Sequence, residues 1–222
     1  MKDCFHVLSA LTVLLSGCAA PDTVRNVVTL LNDDVAKAVS RYGDAVSKKR
    51  VPVEFDSGEK ADTCESYTRL AEKSTLKEDV ANQLGKSEYL MCDVLAIVGS
   101  RKTTAGDIHK TTAYGTALAS RLDLRSFPSS LFQMLDENKY TLAQLNANTV
   151  KTTTTSASSE TAEWRYRLEL VAVLDVDKNG KPDWVLWLSD ESKPGNYRSY
   201  QTLIAYDVTG SGVIGAKPYR HK

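Results

Sequence analysis

Between Asp175 and Asp183 the chain reads Asp-Val-Asp-Lys-Asn-Gly-Lys-Pro-Asp, with oxygen-bearing side chains at the first, third, fifth and ninth places and glycine at the sixth. Oxygen ligands in this order suit a hard cation, and calcium takes about six to eight of them. Asp175, Asp177 and Asn179 fall on alternate residues and point inward, while Gly180 permits the sharp reversal the loop needs. Lys181 then offers its backbone carbonyl, and Asp183 closes the site directly or through a water. Three carboxylates and an amide within nine residues repel one another unless a cation lies between them. The alternative is a metal-free turn, because Asp and Asn bond their own backbone and Asn-Gly favours hairpin reversal. If calcium binds, its role is structural. It would pin the register of two strands, with an affinity of about 10⁻⁴ to 10⁻³ M.

The run resembles the D-x-D-x-[DN]-G loops of EF-hands and, more closely, the D-x-D-x-N-G-x-x-D loops of FG-GAP and integrin-type blades. An EF-hand places a bidentate Glu at the twelfth position and helices on both sides. Here the twelfth position is Leu186, and Tyr166 to Leu174 and Trp184 to Leu188 have the composition of strands. The expectation is therefore a calcium-clamped β-hairpin.

A second cluster lies at the N-terminus. Met1-Lys2 is followed by an apolar run from Phe5 to Leu15, then by Leu15-Ser16-Gly17-Cys18. The run is too short to span a bilayer and has the proportions of a secretory signal. Its ending resembles the lipobox of bacterial lipoproteins. That resemblance implies cleavage of residues 1–17, acylation of Cys18 and anchorage to a membrane through lipid. Ala19 and Ala20 follow, with no Asp at the next place, which by the same resemblance points to the outer membrane, facing the periplasm. With Cys18 acylated, Cys64 and Cys92 remain as an even pair in an oxidising compartment. They form a disulfide, worth about 3 to 4 kcal/mol in the chain-entropy model, or stand as two free buried thiols.

These groups need elements to hold them. Apolar residues at Val24, Val27, Val28, Leu31, Val35, Ala38, Val39, Tyr42 and Val46 follow helical spacing, so one helix is expected from Asp22, as N-cap, to Ser47. Val51 to Lys60 has the composition of a loop. Helices are expected over residues 61–73 and 75–98, stapled by the cysteines, then over Ile108 to Leu122 with Asp107 as cap, then from Pro128. Lys151 to Thr161 is almost wholly Thr, Ser, Ala and Glu: a linker, or an edge strand from Val150 to Thr155 with a turn at Ser156 to Glu160. Alternation from Trp164 to Leu174 and the apolar runs Trp184–Leu188 and Tyr200–Tyr206 give further strands. The predicted fold is α+β, with four to five helices over 18–148 packed on a three- to four-stranded antiparallel meander over 149–222. Asp207-Val208-Thr209-Gly210-Ser211-Gly212 is a weak echo of the acidic loop with too few ligands for a second site, and the basic tail to Lys222 is expected to be loosely held.

Lys plus Arg and Asp plus Glu number 28 each, so nothing in the charge points to nucleic acid. There is no Gly-x-Ser-x-Gly elbow, no His-Glu-x-x-His and no phosphate loop. His6, His109 and His221 stand singly. Carboxylates of the acidic loop, joined by Asp190 and Glu191, could in principle cleave a glycosidic bond, which would make the chain a peptidoglycan hydrolase. The preferred reading is a non-catalytic envelope lipoprotein with a structural calcium ion. Trp164, Trp184, Trp187, Tyr197 and Tyr200 are candidate contacts for a protein partner or cell-wall glycan, unless they simply fill the core. Lipoproteins with this kind of loop include inhibitors and immunity proteins against cell-wall enzymes. The competing class is a structural component of an envelope assembly.

Overall fold

The computed structural model describes residues 27–99, 101–105 and 113–222. The lipobox, Cys18, Asp22, Asp107 and His109 lie outside the described residues. The strands are β1 (Val27–Leu30), β2 (Val53–Glu54), β3 (Lys60–Ala61), β4 (Lys102–Ala105), β5 (Val150–Thr152), β6 (Ser156–Glu160), β7 (Trp164–Leu174), β8 (Asp183–Ser192), β9 (Arg198–Ala205) and β10 (Lys217–Pro218). The helices are α1 (Asp33–Ser40), α2 (Tyr42–Ser47), α3 (Cys64–Ala71), α4 (Val80–Gly85), α5 (Leu90–Val98), α6 (Tyr114–Arg121) and α7 (Leu142–Asn146). The class is α+β.

Among the described residues, eight strands make one mixed sheet. Strands β5 to β10 follow one another antiparallel, so the meander has six strands rather than three or four. Two more come from the N-terminal half. β1 pairs antiparallel with the end of β7, and β4 adds parallel to β1.

β1 replaces the first turns of the helix expected from Asp22. Val27-Val28-Thr29 is β-branched and suits a pleated surface. Val28 is 0% exposed, packed in the sheet. The helix begins instead at Asn32, whose Oδ1 accepts from the amides of Asp34 and Val35 at 3.0 Å each. Its Nδ2 donates to Glu169 Oε1 at 2.8 Å and ties the cap to β7.

Each face of the sheet carries its own apolar layer. Leu118, Leu122, Leu124, Phe127 and Leu142 cover Leu168, Leu170, Leu186 and Leu188 on one side. Val35, Val94, Ile97 and Val98 cover Val171, Leu174, Val185 and Ile204 on the other. The run Trp184–Leu188 is apolar on both alternations because β8 is central and covered twice. In β7 the pairing shifts between Leu170, opposite Leu186, and Ala172, opposite Val185, so Val171 is an extra residue. This bulge moves the later residues of β7 to the opposite face.

The Thr/Ser-rich stretch is not a linker. Its turn falls at Thr153–Thr155, where Thr153 Oγ1 accepts from the Ser156 amide at 3.0 Å, and Ser156–Glu160 is itself the strand that pairs with β7. Small residues are needed here because α6 lies directly on the hairpin. A Cβ on Gly115 would stand 2.2 Å from the Thr153 carbonyl oxygen.

A third cluster forms a lobe beside the sheet, built from β2, β3, α3 and α5 around Phe55, Tyr67, Leu70, Tyr89 and Leu95. The expected loop at Val51–Lys60 is thus a short hairpin, with Val53 opposite Ala61. Cys64 and Cys92 form a disulfide between α3 and α5, with Cα atoms 4.9 Å apart. The long helix expected over 75–98 is broken into α4, a 3₁₀ turn at Lys86–Tyr89 and α5. Buried Asn82 ties α4 to β2: its amide donates to the carbonyls of Glu54 and Lys77 at 2.6 and 2.7 Å, and its Oδ1 accepts from Glu54 N at 2.8 Å.

Candidate metal centre

The acidic loop joins β7 to β8, where Leu174 and Asp183 are the last paired residues. Gly180 has φ +89° and Lys178 φ +66°, so the reversal uses two left-handed residues. Asp175 Oδ1 and Oδ2 accept from the amides of Asn179 and Gly180 at 3.0 and 2.8 Å. Asp183, wholly buried, accepts from the amides of Val176 at 2.7 Å and Asp207 at 2.8 Å. Burial, and next the charge of Asp177, hold the Asp183 carboxyl above the usual range against these amide bonds.

Asp175, Asp177 and Asp183 each offer a carboxylate oxygen, and the three oxygens lie within 4.8 Å of one another. Two oxygens sharing a calcium at about 2.3 to 2.6 Å can be at most about 5.2 Å apart. The three oxygens are therefore close enough together to share one ion. Asn179 is arranged differently from expectation. Its Oδ1 accepts from the Lys181 amide at 2.9 Å, while Nδ2 donates to Asp177 at 3.1 Å and Asp207 at 2.6 Å. Lys181 also places Nζ 3.0 Å from Asp207.

Asp207 is the residue that the reading by spacing missed. It follows β9, adopts φ +55°, and lays its carboxylate against the loop 28 residues earlier in the chain. The echo around Asp207 packs against the acidic loop, through Asn179 and Lys181, rather than standing apart from it. No spacing rule could have found it, because the contact exists only once β8 and β9 pair.

The five candidate aromatics do not share one surface. Trp184 is 7% exposed and packs edge-on to Tyr114, so it belongs to the core. Trp187 is half-buried on the opposite face, as alternation requires. Trp164 and Tyr197 remain at the surface, 36% and 37% exposed, in a T-shaped contact of 5.7 Å. Tyr200 donates from its hydroxyl to Glu191 at 2.8 Å.

Asp190 and Glu191 do not join the acidic loop. Asp190 stands seven residues along β8 from Asp183, about 24 Å at the rise of a strand. Asp190 is 0% exposed and accepts from Ser130 N and Oγ at 2.7 and 2.6 Å. Burial pushes its carboxyl up, against the pull of the Ser130 and Tyr197 donors. A carboxyl raised in the folded state holds its proton longer than in the unfolded chain, so stability declines as pH rises from the ordinary carboxylate range, about 4, through the raised value. Asp190→Asn should remove that decline. In urea unfolding between pH 4 and 7, the difference between variant and wild type should grow in favour of the variant as pH rises; parallel profiles would exclude Asp190 as the source.

Comparison with known protein families, characterised proteins and solved structures returns no match. Among the described residues, no helix is long and apolar enough to cross a membrane.

Proposed function

We propose that this chain is a lipid-anchored protein of the bacterial cell envelope, held through Cys18, whose β7–β8 loop carries a structural calcium ion and whose work is binding rather than catalysis. The observation that carries the reading is the convergence of Asp175, Asp177 and Asp183 at the joint of the two longest strands. A cation there would neutralise the buried Asp183 and lock the register that places Trp164 and Tyr197 together at the far end of the hairpin. That exposed pair offers rigid aromatic area to a protein partner, such as a cell-wall enzyme that the chain would inhibit, or to glycan. Asp175, Asp177 and Asp183 would hold the ion, and Asp207 would orient Asn179 and Lys181 around it.

The test is thermal melting of residues 19–222 with calcium and with chelator. At a calcium concentration of about 100 times the dissociation constant, linkage gives about 2.7 kcal/mol, a rise in Tm of about 5 to 10 °C for a chain of this size. The Asp175→Ala, Asp177→Ala double variant should show no rise. Identical wild-type melts would remove the calcium clamp. Loss of muralytic activity on adding the protein, absent for Trp164→Ala, would identify a cell-wall enzyme as the partner.

A further inference from the structure

Between the disulfide lobe and the edge of the sheet lies a cleft of about 640 Å³, within the size range of small-ligand sites. Phe55 and Tyr67 from the lobe, Tyr197 and Tyr200 from β9 and its approach, and Tyr219 from the strap, the segment that follows β10, line it. Its charged lining is Lys77, Lys86, Arg198 and Arg220 against the single carboxylate of Glu78.

These cations are not equivalent. Lys77 is paired with Glu54 at 3.1 Å, and Arg198 spends its guanidinium on the carbonyls of Ser192, Gly195 and Tyr197. Lys86 and Arg220 have no ion-pair partner among the described residues. Burial holds the Lys86 ammonium below its usual range, although the Asp93 charge nearby opposes this. A half-buried, unpaired ammonium is costly, and an anion arriving in the cleft would offset that cost.

We propose that this cleft is a binding site for a small cyclic anion, its carboxylate or phosphate group held by Lys86 and Arg220 and its ring face laid against the tyrosines. Arg supplies a planar fork for such a group and Lys a point charge, and the phenol rings give rigid apolar contact at low entropic cost. The site needs neither a lipid anchor nor a bound cation; it shares only Tyr197 with the surface proposed above, and its anion is held by Lys86 and Arg220, which that reading does not use.

The experiment is titration of the intact 19–222 chain with phenyl phosphate, inorganic phosphate and phenol, followed by amide chemical shifts. Phenyl phosphate should shift residues of β9, α4 and the strap, and bind at least tenfold tighter than either phosphate or phenol. Arg220→Met is exposed and should melt as wild type while weakening phenyl phosphate at least fivefold. Lys86→Met should weaken phenyl phosphate likewise while melting at or above the wild-type temperature, and Lys151→Met, on an exposed strand far along the chain, should change nothing. Equal affinity for phenyl phosphate and phenol would overturn the anion site, as would unchanged binding in Arg220→Met or an absence of shifts around the cleft.

Discussion

His221→Ala is expected to destabilise the protein by about 3 kcal/mol, although it lies one residue from the C-terminus. The His221 side chain is only 6% exposed, and its Nε2 lies 2.8 Å from Asp93 Oδ1, whose own side chain is 9% exposed. Tyr219 and Tyr67 stack edge-on against the imidazole at 4.9 and 5.4 Å. Removing the imidazole leaves the Asp93 carboxylate buried on α5 without its ring partner. Burial, reinforced by Asp93, holds the Tyr67 phenol well above its usual range. The tail is therefore a strap: β10 pairs with β9, the Tyr219 amide donates to the Thr202 carbonyl at 2.8 Å, and His221 closes onto the lobe. Urea unfolding of the variant measures the loss. If the stranded carboxylate is the cause, Asp93→Asn added to His221→Ala should recover part of it. A loss below about 0.5 kcal/mol, the level of an ordinary surface change, would show that the strap does not hold the lobe.

Replacing both cysteines of the disulfide by alanine should cost about 3 to 4 kcal/mol, the closure term for a separation of 28 residues. Both residues are nearly fully buried, Cys64 at 2% and Cys92 at 1%. The effect should also be local. The lobe rests on its own apolar cluster, and α1 and α5 supply side chains to both the lobe and the sheet. Without the cross-link, amide exchange at Tyr67 and Leu70 should quicken by orders of magnitude, while Leu168 and Leu186 in the central strands keep their protection. Uniform quickening would mean that lobe and sheet unfold as one cooperative unit.

Much of the arrangement could be read from local pattern. Period-two alternation placed β7, and the Asp residues with Asn179-Gly180 placed the loop that joins it to β8, because side-chain direction and turn chemistry are properties of neighbouring residues. The cysteine pair was legible by counting, and the α+β class from the change in composition near Val150. Where two patterns coincide, local reading failed. Val24, Val27, Val28 and Leu31 fit a helical stripe, yet Val27–Leu30 is a strand because the end of β7 offers it hydrogen bonds, including Leu31 N to Val171 O at 2.9 Å. A run of Thr and Ser reads as too polar to bury, yet Ser156 and Ser159 are 1% and 3% exposed, Ser156 beneath Gly115 of α6 and Ser159 with its hydroxyl 2.7 Å from that of Thr149.

What the amino-acid order determined by itself was the chemistry available in each segment: a loop of carboxylates, a pair of thiols, a basic and aromatic tail. Which of these groups meet was decided only by the tertiary structure. Asp207 reaches the acidic loop because β8 and β9 pair, His221 reaches Asp93 across 128 residues because β10 closes the sheet edge, and Trp184 is core while Trp164 is surface because the two lie at differently covered places on the sheet. Such meetings depend on long-range pairing, whose energy is shared over the whole sheet and leaves no periodic trace at the residues that it brings together.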